Sequence, residues 1–311
     1  MHLDPLKQAN LKNTWLTIGS FDGVHQGHQY IIRKMVSSAH STGAIAVVLT
    51  FHPHPAIVLG RRENPYSLTT PEERAGLLEQ LGVDAVITQP FDQSVAMTSA
   101  RDYMAHLVAS LDVRMLWVGH DFALGHNREG NVAALHKIGA EQGFRVHEFD
   151  PISIDGEVVS SSQVRKLLHE GDLKRAANLL DRLYSVEGTV VPGDQRGRTI
   201  GIPTANLLIA AEKIIPANGV YACRGVVDGQ VWPAATNIGV RPTFDGQSST
   251  RHVEAHLIGF EGEIYKHNLR LDFIERLRGE QKFASIQDLM NQIHLDISQT
   301  RRLVQLANFT K

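Results

Sequence analysis

The sequence predicts an α/β domain built on a parallel sheet, followed by an antiparallel β-barrel and a closing helix. Three observations carry this. In the first half, apolar runs alternate with helical patterns, and a repeated β-α-β order implies a parallel sheet with helices on both faces. After Leu183 the runs become short and β-rich, with no helices between them, which is the pattern of an antiparallel barrel. From Ser285 to Leu306 the spacing is helical again. A chain of 311 residues suits two domains, and the change of pattern divides it into 1–182 and 183–311.

The first-half strands are expected at Trp15–Ile18, Ala44–Phe51, Ala85–Thr88, Met115–Val118 and Phe144–Phe149. Helical spacing lies between them at His25–Ser38, Pro71–Leu81, Ala100–Leu111 and Val132–Gln142. Thr70-Pro71-Glu72-Glu73 combines an N-cap, proline at the first helical position and a capping-box glutamate. Gly171–Leu180 reads as the last helix of this half. The later strands are expected at Tyr184–Val191, Val220–Val227, Gln230–Thr236, Val253–Phe260 and Leu269–Phe273. Asp228-Gly229 marks a hairpin, and Gly246 and Gly262 mark other turns. The final helix carries an apolar stripe of Ile286, Leu289, Met290, Ile293 and Ile297, expected to pack on the barrel.

Ligands of parallel α/β sheets sit beyond the carboxyl ends of the strands. Three motif-bearing loops fall there. Gly19-Ser20-Phe21-Asp22-Gly23-Val24-His25-Gln26-Gly27-His28 follows the first strand and opens a helix. Its histidines stand at i and i+3, on one face of the first turn, where the helix dipole and free N–H groups favour an anion. Gly27 lets a large anion approach the backbone. The stretch reads as a phosphate cradle with two imidazole donors. Phe51-His52-Pro53-His54-Pro55 follows the second strand, and its two prolines imply a stiff, extended loop. With His25 and His28 it could offer four imidazoles to a metal, but no carboxylate-flanked ligand set accompanies it. Val118–Gly130 follows the fourth strand and holds Asp121, Phe122, Gly125, His126, Arg128 and Gly130. Further on, Ser160-Ser161-Ser162-Gln163-Val164-Arg165 opens a helix with hydroxyls and an arginine one turn later. That arrangement suits either capping or polyphosphate.

In the second half, Gly193-Asp194-Gln195-Arg196-Gly197-Arg198-Thr199 fails as a Walker A motif. It still reads as a glycine-rich loop facing phosphate, with Gly201 and Pro203-Thr204-Ala205-Asn206 beyond it. If that segment is extended, Thr204 and Asn206 share one side. They offer neutral oxygens suited to Mg²⁺ already held by ATP phosphates.

Composition narrows the function classes. Net charge is −2 and aromatics are 6%, so no basic, aromatic-rich surface recruits nucleic acid. No apolar run is long enough to span a bilayer, and the first residues lack the order of a secretory signal. Cys223 is the only cysteine, which excludes an intrachain disulfide and a cysteine-rich zinc site. A cytoplasmic enzyme or binding protein is expected.

Together these motifs resemble the prokaryotic bifunctional riboflavin kinase/FAD synthetases, whose first domain is a Rossmann-like HxGH nucleotidyltransferase. The resemblance recurs in order at GSFDGVHQGH, FHPHP, VGHDFALG, VSSSQVR, GRTIGIPTANL, GVYA, NIGVRPTF and HVEAHL, nearly the whole chain. It implies two successive reactions. Riboflavin and ATP give FMN and ADP; FMN and a second ATP then give FAD and pyrophosphate. By resemblance, Gly19, Phe21, Asp22, Gly23, His25, Gly27, His28, Ser161, Ser162 and Arg165 contact ATP in the adenylyltransferase. Phe51, His54, Pro55, Asp121 and Phe122 line its flavin site. In the kinase, Gly193, Gly197, Gly201, Pro203, Thr204 and Asn206 are the ATP contacts. Thr204 and Asn206 reach Mg²⁺, Arg241 and Arg278 contact flavin, and Glu254 matches the catalytic carboxylate. The implied roles suit the two nucleophiles. An alcohol needs a base, whereas a phosphate with a second pKa of about 6 is already largely dianionic and needs charge neutralisation and alignment. Three departures stand out: His120 stands where the family often has an acidic or amide residue, Ser162 replaces a threonine, and Lys266 replaces the glycine that commonly follows the tyrosine at 265. If that glycine's positive φ is needed, the local loop must differ. Two other readings compete: a single-activity adenylyltransferase with a non-catalytic barrel, and a nucleic-acid binder with an OB-like barrel.

Overall fold

The structure is a computed structural model that describes residues 6, 11–150, 153–154, 157–193, 201–242 and 249–308. It divides into two compact units, Met1–Ser161 and Ser162–Lys311.

The first unit is a parallel sheet. Its strands are β1 (Thr14–Ile18), β2 (Ile45–His52), β3 (Ala85–Pro90), β4 (Val113–Gly119) and β7 (Arg145–Phe149), in the order β3-β2-β1-β4-β7. The minor strands β5 (Ala123–Leu124) and β6 (Gly130–Asn131) form a separate ribbon, as do β8 (Ser153–Ile154) and β9 (Glu157–Val158). The order runs outward from β1 to β3 on one side and from β4 to β7 on the other. The reversal opens a crevice at the carboxyl ends of β1 and β4. Helices cover both faces because the strands bury alternate residues on each. Leu16, Ile18, Val47 and Leu49 pack against α5 (Ala100–Leu111) and α6 (Val132–Gln142). Ala46, Val48 and Trp117 pack on the other face against α1 (Gln26–Ser41) and α3 (Pro71–Glu79). The capping box at α3 forms as expected: Glu73 N–H donates to the Thr70 hydroxyl at 3.2 Å, and Thr70 N–H to Glu73 Oε2 at 2.9 Å. Two short helices went unforeseen, α2 (Pro55–Val58) and α4 (Gln93–Met97).

The second unit begins with α7 (Ser161–Glu170) and α8 (Leu173–Leu180). A closed barrel follows, of β10 (Tyr184–Val191), β11 (Ala205–Ile209), β12 (Gly219–Val227), β13 (Gln230–Pro242), β14 (Ser249–Leu257) and β15 (Asn268–Arg278). Its order is β10-β11-β14-β13-β12-β15, antiparallel throughout, and β15 closes on β10. Tyr221, Cys223, Ala255 and Phe273 point inward and are fully buried, so the barrel is filled by side chains. The expected strands are present but several extend further. β13 runs on through Asn237 and Gly239 because β14 supplies a ladder partner that propensity does not register. β11 was hidden by the glycine and proline before it. Asp228 (φ 50) and Gly229 (φ 76) make the expected hairpin turn. Lys266 takes the left-handed conformation of the glycine it replaces (φ 68). Its N–H donates to the Val190 carbonyl at 2.9 Å.

The last helix, α9 (Ile286–Asn308), packs on β12, β13 and β15. Its expected stripe does not simply seat on the barrel. Ile286 is 74% exposed, and Leu289, Ile293 and Ile297 roof a cavity. The buried anchors are Asp296, Thr300 and Val304.

Candidate active sites

The Gly19–His28 turn is tightly wound. Phe21 (φ 43) and Val24 (φ 40) both adopt left-handed backbone angles, an outlying conformation for a β-branched residue. Such strain persists only where the surroundings enforce it, and here Asp22 does so. Its carboxylate is fully buried. Leu68 N–H donates to both oxygens at 2.9 Å, and Thr69 donates to Oδ1 from its N–H at 3.0 Å and its hydroxyl at 3.1 Å. The Ser161 hydroxyl donates to the Asp22 carbonyl at 2.8 Å. Asp22 and Ser161 therefore hold the turn together. His25 caps α1, and its Nδ1 accepts from His28 N–H at 3.4 Å, so Nε2 carries the His25 proton. The two rings stack with centroids 3.6 Å apart, and Phe21 meets His28 edge-on at 5.2 Å. A Cβ on Gly27 would press on the His25 ring at 3.2 Å, and one on Gly19 on the Phe21 ring at 3.1 Å. Burial, then His25, then Arg74 push the His28 pKa well below the ordinary histidine value, so its imidazole is neutral. His28 Nδ1 is buried with no hydrogen-bond partner among the described residues.

A cavity of about 310 Å³ lies at the carboxyl ends of β1 and β2, lined by Ile18, Phe51, Pro55, Phe91, Tyr103 and Phe122 among others. Phe51 and Phe91 meet edge-to-face at 5.3 Å. Of the residues expected here, Phe51, Pro55 and Phe122 line it. His54 does not: its Nδ1 accepts from Ala56 N–H at 3.1 Å and caps α2, because Pro55 at the first helical position starts a helical turn where an extended loop was expected. Asp121 is exposed and lies outside the lining; its carbonyl accepts from Arg128 at 2.9 Å. Gly125 (φ +78) closes this wall, since a Cβ would stand 2.5 Å from the Ala100 nitrogen.

In the barrel the site lies on the outer face. Inward Ala205, Val253 and Ala255 alternate with outward Thr204, Asn206, Glu254 and His256. Asn206 pairs with Glu254, Glu254 with Asn237, Asn237 with Val220, and Val220 with Arg278. That row of five residues crosses five strands. Its members from Glu254 to Arg278 line a cavity of about 480 Å³ beneath α9, together with Thr204, His256, Phe283 and Ile293. Thr204 also lines a second, smaller cavity with Pro203, Glu263 and Tyr265, so it stands in the wall between two recesses. Gly193 permits this packing, because a Cβ there would fall inside the Asn206 carboxamide. Arg278 is held bidentately by Asp296 of α9 (Nη2–Oδ2 2.9 Å, Nε–Oδ1 3.3 Å). Gly201 (φ 76) is an exposed turn residue. Gly197 lies outside the described residues, as does Gly246, and of Arg241 the backbone alone is described, in β13. Ser162 and Arg165 stand on α7 in the second unit, Arg165 buried.

A family model described as FAD synthetase matches residues 7–163, and one described as riboflavin kinase matches 180–304. The Pseudomonas fluorescens bifunctional riboflavin kinase/FMN adenylyltransferase is 38% identical over 288 residues, 92% of each chain. The chain belongs to the bifunctional riboflavin kinase/FMN adenylyltransferase family. The Escherichia coli K12 member is 35% identical over 94% of this chain and 93% of its own. A solved structure from Streptococcus pneumoniae, described as a macrolide-efflux protein, shares the architecture: TM-score 0.86 at 28% identity, over 96% of this chain and 97% of that one. Among the described residues here, no helix is long and apolar enough to cross a membrane.

For a member of this family, sequence reasoning missed three residues at the two sites. Arg74 is 2% exposed and donates to the Phe51 carbonyl at 3.1 Å, tying α3 to the strand end that walls the flavin-sized cavity. Asn237 continues the row through Glu254, and its place in the NIGVRPTF motif was the available signal. His256 follows Glu254 by two positions on the same strand face, a period-2 signal in HVEAHL.

Proposed function

We propose that the barrel phosphorylates riboflavin and that the parallel-sheet unit transfers an adenylyl group to the FMN so formed. The carrying observation is that Glu254 and Thr204 line one cavity while the stacked histidine pair sits in a different unit of the chain. In the kinase step, Glu254 takes the proton of the riboflavin 5′-hydroxyl as its oxygen attacks the γ-phosphorus of ATP; ADP leaves and FMN forms. The apolar side of the cavity under α9, formed by Val220, Phe283, Ile293 and Ile297, suits the flavin ring, with Arg278 and Arg241 as proposed flavin contacts. Thr204 and Asn206 face the phosphates, and Gly193, Gly197, Gly201 and Pro203 complete the proposed ATP contacts.

In the adenylyl step, an FMN phosphate oxygen attacks the α-phosphorus of a second ATP and pyrophosphate leaves. FMN brings its own charge, so the protein supplies donors and alignment. The His25 Nε2–H, the His28 ring and the amide-rich turn Gly19–His28 serve there. The buried, unpartnered His28 nitrogen fits a site completed by a ligand. Phe51, Pro55 and Phe122 hold the flavin, while Asp22 clamps the Gly19–His28 turn and His54 caps the helix that Pro55 begins. Motif resemblance supports Asp121 as a further flavin contact, whereas Ser162 and Arg165, expected on the same ground, belong to the second unit.

Mg²⁺ suits the kinase site. Among the described residues no group of three His, Cys, Asp or Glu side chains could hold a metal, and Thr204 and Asn206 offer neutral oxygens of the kind that complete a phosphate-held magnesium shell. When bound, Mg²⁺ supplies charge neutralisation between the phosphates. We place the functional boundary at 182/183, where α8 gives way to β10, and assign the enzyme to the cytoplasm, where ATP is available.

Chromatography of products from riboflavin, ATP and Mg²⁺ tests the division of labour. His28→Ala should accumulate FMN without FAD, and Glu254→Gln should yield FAD only when FMN is supplied. If both substitutions abolish both steps equally in folded protein, the assignment is wrong.

A further inference from the structure

His256 lies two positions beyond Glu254 on β14, so both side chains leave the same outer face of the barrel. Both line the cavity that also holds Thr204. The β11–β14 ladder consists of Asn206↔Glu254 and Ala205↔Ala255, and it does not continue to Pro203. The pairing ends before Thr204 and His256. The Pro203 carbonyl is instead 2.8 Å from His256 Nδ1. A carbonyl can only accept, so Nδ1 carries the proton. The imidazolium would donate from the same atom, so the contact survives protonation.

We infer that His256 is a positioning residue for riboflavin phosphorylation, its Nδ1–H reaching past the end of the ladder and holding Pro203–Thr204 against the strand that carries Glu254. Thr204 stands in the wall shared by the two barrel cavities. A shift of its segment would move the Thr204 hydroxyl away from ATP phosphates, while the flavin side, walled by Val220, Phe283 and Ile293, would stay in place. The inference rests on the phosphate-facing role proposed above for Thr204.

His256→Phe keeps a ring and removes the donor; His256→Gln restores a donor. Steady-state kinetics of riboflavin phosphorylation should show the KM for MgATP rising about tenfold in His256→Phe, the worth of one hydrogen bond. The KM for riboflavin should stay within about twofold. His256→Gln should recover most of the loss, and FMN adenylylation should be unchanged. An unchanged MgATP KM in His256→Phe, a loss confined to riboflavin KM, or no recovery in His256→Gln would overturn the inference. Failure of both His256→Phe and His256→Ala to fold would overturn it too, because a side chain that holds one segment leaves the barrel intact. Thr204→Val is the control. If it leaves MgATP KM unchanged, the role of Thr204 is wrong; if it raises that KM and His256→Phe does not, the positioning role alone is wrong.

Discussion

Asn206 and Glu254 oppose one another across β11 and β14, and Asn237 opposes Glu254 from the other side. Directly opposed strand residues share a face with Cβ atoms about 5 Å apart. A carboxylate flanked by two carboxamides can be held in place by neutral donors, which suits the role proposed above for Glu254. Asn237→Ala should therefore lower kcat for riboflavin phosphorylation by about tenfold, near the worth of one hydrogen bond to a charged group. FMN adenylylation serves as the internal reference.

Asp22 carries a structural burden that its place in a nucleotide motif conceals. Asp22→Ala leaves the buried Leu68 and Thr69 donors unsatisfied. The expected cost is about 2–5 kcal/mol of stability. Urea unfolding measures it, and adenylyl transfer should fall even at temperatures where the variant is folded, because the Gly23–His28 turn loses its clamp.

His28, whose Nδ1 is buried, ties stability to pH. Its pKa is lowered in the folded state, so the unfolded chain takes up its proton first as pH falls. The folded form gains no matching proton, and stability is lost below about pH 6.5, the unfolded value. One such group contributes at most about 1.4 kcal/mol per pH unit. His28→Gln should flatten the decline in melting temperature between about pH 6.5 and pH 5, and a variant curve parallel to wild type would contradict this.

Gly125 is held at positive φ with the Ala100 backbone against it. Gly125→Ala should displace the 119–130 wall of the flavin-sized cavity. The KM for FMN in adenylylation should rise severalfold with riboflavin phosphorylation unaffected, and FMN titration followed by flavin fluorescence provides an independent readout.

The Arg278–Asp296 pair fastens α9 over the barrel cavity. Removing one partner of a buried pair costs about 3–5 kcal/mol, whereas an apolar replacement of both is close to neutral. Asp296→Asn should weaken riboflavin binding and lower the melting temperature. Arg278→Met with Asp296→Leu should restore the melting temperature but not the riboflavin KM, if the guanidinium also serves the ligand.

The alternation of apolar runs with helical spacing determined the parallel sheet, because a strand buried on both faces and an amphipathic helix each leave a local periodicity. The capping box at Thr70, the hairpin at Asp228-Gly229 and the α1 turn with its two histidines are equally local, and were legible for that reason. The strand register was not. Only the closed barrel decided that Glu254 lies between Asn206 and Asn237, since their pairing joins segments far apart in the chain. Packing likewise decided that His54 caps a helix and that Asp22 anchors residues 68 and 69. It also decided that the apolar stripe of the last helix roofs a cavity. Each of these outcomes depends on which backbone donor or which void a side chain meets, and that is set only when distant strands and helices come together.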